Sequence, residues 1–208
     1  MGHPTVFSHL SETEAGELEN DLTALRVESD ELNQSAALVW LRKDRIKGDA
    51  QLHGIVLKAP DRVDEIARNS FLSLFPDILR HRAVRHLLPE SFDASKPLDA
   101  GANHPPRGWR PVPAIGLAAE WARAMYDGSF GTDPRESAAA VRDRRAVAAL
   151  AQANDLFHSL FGERYSSLFC LSSPDPWCPW FRGLFNTTWV VYAGHSRTLW
   201  MLTLTDMD

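Results

Sequence analysis

The C-terminal stretch TTWVVYAGHSRTLWMLTLT constrains the fold more than any other part of the chain. Two runs rich in aromatic and β-branched residues, 187–193 and 197–205, flank Gly194-His195-Ser196. Such residues suit a pleated, half-buried surface. A short break containing glycine reads as a tight turn between antiparallel strands. YSSLFCL at 165–171 has the same character, so the tail is predicted to be a β-meander of three strands. Farther upstream, AALVWLRKD (36–44) and QLHGIVLKA (51–59) read as two more strands. Gly48-Asp49 lies in the turn between them, giving an N-terminal hairpin.

The segments between these strands have helical spacing. Ser11-Glu12-Thr13-Glu14 has the spacing of a capping box, and Leu18, Leu22 and Leu25 follow at helical intervals, which predicts a helix over 11–29. Pro60-Asp61 opens a second helix with Val63, Ile66, Ala67, Ser70, Phe71 and Leu74 on one face. Pro76 interrupts it, and DILRHRAVRHLL resumes as a short basic helix. AIGLAAEWARAMYDG predicts a third helix. Asp133-Pro134 starts the longest, over 134–161, with Val147, Leu150, Phe157 and Phe161 as its buried stripe and Gly162 at its end. The expected class is α+β. An antiparallel sheet, made of the N-terminal hairpin plus the C-terminal β-meander, packs about four to five helices on one face. Residues 1–208 are read as one domain, with a subdomain boundary in the crossing 89–113, where six prolines fall.

Composition then limits function. With 44% hydrophobic and 24% charged residues, the chain can bury a sizeable core. No run is long and apolar enough to span a bilayer. The N-terminus lacks the basic and apolar regions of a secretory signal. Two cysteines, Cys170 and Cys178, are too few for a disulfide framework, so a cytoplasmic chain with reduced thiols is expected. The net charge of −5 disfavours nucleic acid as a partner. Charge is nonetheless uneven. Residues 12–31 carry eight acids against Arg26, whereas 80–86 carry Arg80, His81, Arg82, Arg85 and His86 without an acid.

Four stretches are chemical candidates. SSPDPWCPWFRG (172–183) is read either as a proline-stiffened plug over the sheet or as a docking loop through Trp177, Trp180, Phe181 and Arg182. Trp and Arg are enriched where binding energy concentrates, and prolines lower the cost of ordering. Its Trp-Cys pair superficially resembles a thioredoxin redox loop, but Phe181 occupies the position of the second cysteine. Second, Arg82, Arg85 and His86 are candidate anion-binding residues, in competition with pairing to the acidic first helix of the same chain. Third, GANHPPRGWRP places His104, Arg107 and Arg110 on a stiff loop as candidate catalytic groups for an anionic substrate. Fourth, Asp206 and Asp208 have the spacing of a cation pair, but read better as a frayed acidic terminus.

No histidine, cysteine or acid cluster has metal-ligand spacing, and no phosphate-cradling or nucleophile-elbow motif occurs. No cofactor is expected. The resulting expectation is a non-catalytic protein-binding protein of accessory, inhibitor or immunity type. The alternative is an enzyme acting on an anionic small molecule or phosphoester through the His104 loop and the basic helix.

Overall fold

Six strands form one antiparallel sheet in the computed structural model, which describes residues 12–28, 30–43, 48–58, 75, 77–92, 108–127, 139–181 and 185–206. The elements, in chain order, are α1 (Glu12–Asp21), β1 (Thr23–Val27), α2 (Asp30–Asn33), α3 (Ala36–Lys43), β2 (Asp49–Lys58), α4 (Arg82–Arg85), β3 (Arg110–Val112), α5 (Ala114–Asp127), α6 (Ala139–Phe161), β4 (Leu168–Ser173), β5 (Phe185–Ala193) and β6 (Thr198–Asp206). Strand order across the sheet is β1-β2-β6-β5-β4-β3. The fold is α+β, as the alternation of segments predicted. The C-terminal meander β4-β5-β6 lies where the sequence placed it. Ala193 pairs with Thr198 across the turn, and Arg197 takes a left-handed φ of 52° there.

Both faces of the sheet are covered, in contrast to the single helical face expected. Along β5, Trp189, Val191 and Ala193 enter one core, and Val190 and Tyr192 enter the other. The period of two sends alternate side chains to opposite faces. This explains why Trp189–Ala193 and Leu199–Leu202 are unbroken apolar runs rather than alternating ones. On one face, α3, α5 and α6 pack through Leu38, Leu41, Leu117, Trp121, Met125, Ala153 and Phe157. On the other lie Leu18 of α1 and Leu22 just after it, Phe75, the 77–92 segment, and the tryptophan loop that follows β4.

Five local expectations differ from the structure. Residues 36–43 form a helix, not a strand. Ala37, Leu38 and Leu41 supply its buried stripe. The hairpin partner of β2 is instead β1, with Thr23 opposite Lys58 and Val27 opposite Gly54. The first helix therefore stops at Asp21, and Leu25 lies on a strand. Beyond Val27, side chains take over the pairing of β2. The Asn33 amide donates to the Leu52 carbonyl at 2.9 Å and accepts from the Leu52 N–H at 3.1 Å. Arg42 Nε donates to the Ala50 carbonyl at 2.8 Å. Helices α2 and α3 are thus tied to the part of β2 that β1 leaves uncovered, satisfying backbone groups that would otherwise lose hydrogen bonds.

The stripe of α6 also differs. Val147 and Leu150 are 68% and 48% exposed, and Ala149, Ala153, Leu156, Phe157 and Phe161 carry the burial. The basic helix is broken at His81, which turns its ring inward as the N-cap of α4. Gly162 ends α6 with φ 60°, as expected, and its N–H donates to the His158 carbonyl at 2.9 Å. The predicted starts of the second and longest helices lie outside the described residues.

Candidate functional site: the tryptophan loop and its polar floor

The face of the sheet that meets the tryptophan loop grades from apolar to polar along the strands. Residues directly opposite one another share a face. The row Ile55–Leu199–Tyr192 is apolar. The next row, His53–Met201–Val190–Leu171, has one imidazole. Then comes Gln51–Thr203–Thr188–Ser173, and finally Asp49–Thr205–Asn186, both wholly polar. Thr203, Thr188, Ser173, Thr205 and Asn186 are all buried. Their bonds run within the patch. Thr205 Oγ1 donates to Asn186 Oδ1 at 2.9 Å, Gln51 Nε2 donates to Asp49 Oδ2 at 2.9 Å, and Thr203 Oγ1 donates to the Gln51 carbonyl at 3.3 Å.

The loop is fastened to this floor. Trp177 Nε1 donates to Thr188 Oγ1 at 2.9 Å. The Asp175 N–H donates to Ser173 Oγ at 3.1 Å, and Asp175 Oδ2 accepts from the Gly108 N–H at 2.7 Å. Cys178 is wholly buried, and the Phe181 N–H closes a turn onto the Cys178 carbonyl at 3.2 Å. Trp180 stacks on Phe92 with ring centroids 5.0 Å apart, and Phe181 meets both tryptophans edge-on at 5.8 and 5.1 Å. Trp177 and Trp180 are partly buried, packed against the core on this face. The loop thus covers this face of the sheet, with both tryptophans packed on its core.

His53 lies under the same aromatic cluster, edge-on to Phe92 at 4.7 Å. It is 6% exposed, and its Nε2 has no hydrogen-bond partner. Burial, with the Arg26 charge as a smaller cause, lowers its pKa to about 4. It is a neutral imidazole at physiological pH, and among the described residues no carboxylate pairs with it in the way that orients a catalytic base.

The other candidates divide. Arg82, Arg85 and His86 are exposed on α4, in the layer that contains Phe92 and the tryptophan loop. The link from this basic segment to the acidic first helix runs through His81. Its Nδ1 accepts from the Ala83 N–H at 3.3 Å, so its Nε2–H is the donor to the Glu19 carbonyl, also at 3.3 Å. Arg110 is paired with Glu120 at 2.8 Å, and Glu120 also accepts from Trp189 Nε1 at 2.7 Å. His104, Arg107, Arg182 and Asp208 lie outside the described residues. Asp206 is not frayed: it is buried at the end of β6, opposite Phe185. Among the described residues, no group of three histidines, cysteines or acids is placed to hold a metal ion.

Two further groups have the elements of nucleophilic chemistry but the wrong arrangement. Burial, then Glu120, pushes the Cys170 thiol up to about 12, so it stays protonated and inert. Ser167 Oγ lies 3.1 Å from His195 Nδ1, but it donates to the Arg164 carbonyl at 3.0 Å. The Arg164 carbonyl thus competes with the imidazole for the Ser167 proton. Burial and Arg164 hold the His195 pKa below its usual value. No described helix is long and apolar enough to cross a membrane.

The polar floor was missed in the sequence. Its signal was present in the clustering of Thr, Ser and Asn toward one end of each meander strand. No protein-family model, curated protein or solved structure matches this chain.

Proposed function

We propose that the chain is a non-catalytic protein-binding protein whose docking surface is the outer side of the tryptophan loop, flanked by the cations of α4. One observation carries the reading: the loop is fixed at Thr188, Ser173, Gly108 and Phe92 while Trp177 and Trp180 are left only partly buried. A surface held in place before binding loses little entropy on association. Large amphipathic rings on such a support are the residue type that concentrates binding energy. Exposed Arg82 and Arg85 favour a partner with acidic groups around an apolar slot.

The test is affinity purification from the native cell, followed by reconstitution with the purified partner. Wild type is compared with Trp180→Ala and with Arg82→Glu/Arg85→Glu, each first shown to melt cooperatively. The reading expects a stoichiometric partner whose affinity falls at least tenfold with Trp180→Ala and whose association slows with the charge reversal. Equal binding by all three proteins would remove the loop as the docking surface.

A further inference from the structure

The two edges of the sheet are not alike. One edge, β3, has three residues, including Pro111, which donates no hydrogen bond to a neighbouring strand. The other, β1, has five residues, TALRV, with no proline or glycine. No described strand pairs with its outer side. Where β1 stops, Asn33 and Arg42 close the remaining edge of β2, so the open edge is confined to Thr23–Val27. At its centre Leu25 is 51% exposed on the outermost strand.

Charge differs between the two ends of this edge, with the exposed Arg26 between them. At its C-terminal end Glu28, Asp30 and Glu31 are exposed. At its N-terminal end opens a cleft of about 560 Å³ lined by Asn20, Asp21, Thr23, Lys58, Ser196 and Arg197, among others. The cleft has two cations against one acid. An antiparallel pair of β1 strands centred on Leu25 places Thr23 of each copy opposite Val27 of the other. The acidic end of each copy then passes toward the cationic cleft of the other, and the match occurs twice about the two-fold axis. A parallel pair would set acid against acid. A uniformly basic peptide would match only one end of the edge.

We propose that two copies of this chain join through β1, as a two-fold antiparallel pair centred on Leu25, continuing the six-stranded sheet into a second copy. Such an interface is isologous, with each patch meeting itself. Leu25 covers Leu25 of the second copy, and unpaired edge groups become ladder hydrogen bonds. Asp21 and the net charge of −5 on each copy oppose the pairing, and the two end-to-end charge matches offset them.

Sedimentation equilibrium of the full chain over a concentration series tests this. Wild type should approach twice the 23.3 kDa chain mass. Leu25→Arg, which sets like charges face to face at an exposed position, should stay monomeric with an unchanged thermal melt. Glu31→Lys and Lys58→Glu should each weaken the dimer, and their combination should restore it.

A second readout holds even if Leu25→Arg folds poorly. Directly opposed residues in an antiparallel pair lie within disulfide reach. Leu25→Cys should therefore oxidise to a covalent dimer, whereas Thr23→Cys should do so only when mixed with Val27→Cys. Both native cysteines are buried and do not compete. A wild type that remains monomeric throughout, or a dimer indifferent to Leu25→Arg and not trapped by Leu25→Cys, overturns the proposal.

Discussion

Lowering the pH should weaken the fold through one residue, His53. The unfolded chain takes up this proton near pH 6.5, and the folded chain resists it down to about 4. Between these values the unfolded state binds more protons. Stability is therefore full above about pH 6.5 and falls as pH drops through that window. At pH 5 the two proton-binding equilibria differ by about 2 kcal/mol, approaching about 3 kcal/mol near the bottom of the window. The structural origin is definite: the ring is 6% exposed, packed edge-on against Phe92, and its Nε2 has no hydrogen-bond partner that would stabilise a positive charge. The experiment is urea unfolding followed by tryptophan fluorescence at pH 7.5 and pH 5.0, for wild type and His53→Met. Carboxylates titrate alike in both proteins and cancel in the comparison. Wild type should lose about 2 kcal/mol more than the variant over this interval. Equal losses would refute the assignment of the acid sensitivity to His53. Arg26→Ala should reduce the wild-type loss slightly, because its charge is the smaller of the two causes.

Other residues make independent predictions. Gly54 faces Trp200 across the β2–β6 pair, and a Cβ there would lie 2.6 Å from the indole ring. Gly54→Ala should cost about 1–3 kcal/mol in a denaturant titration, and Trp200→Leu in the same chain should recover part of it. Trp177→Phe removes the hydrogen bond to Thr188 and should cost about 1 kcal/mol while leaving the far-ultraviolet circular dichroism unchanged. Neither Cys170 nor Cys178 should react with a thiol reagent in the native state, and both should react after unfolding.

How much of this was legible in the sequence depended on where the information lay. β5 and β6 declare themselves because every residue from 188 to 193 and from 198 to 206 except Trp200 is buried, and the chain there is dominated by strand formers. Their two-faced burial was equally written in the lack of alternation, which means that both faces of the sheet must be covered. The N-terminal third was harder because its apolar spacings fit two periods. Leu22 and Leu25 are three apart, as on a helix face, but both lie beyond the helix end at Asp21. AALVWL is a short apolar run whose periodicity cannot separate strand from helix. What decides it is long-range: Asn33 and Arg42 bind the backbone of β2, eight to nineteen residues away.

The same limit applies to the candidate site. The composition of the tryptophan loop drew attention to it at once. Its meaning depends on contacts with Thr188, Gly108 and Phe92, which lie 11, 67 and 88 residues from the respective loop residues and leave no mark in the loop's own sequence. His53 illustrates the point most sharply. In sequence it is one histidine in an apolar strand, and only the closure of β2 against β6 under Phe92 turns it into a buried, uncharged group with an unsatisfied nitrogen. An isolated motif scan passes over such a residue because its chemistry is created by burial and not by neighbours in the chain. The titration experiment is therefore also a test of the packing itself. If the aromatic cluster did not close over β2, His53 would be solvated, its pKa would return toward the ordinary value, and the acid sensitivity would vanish with it.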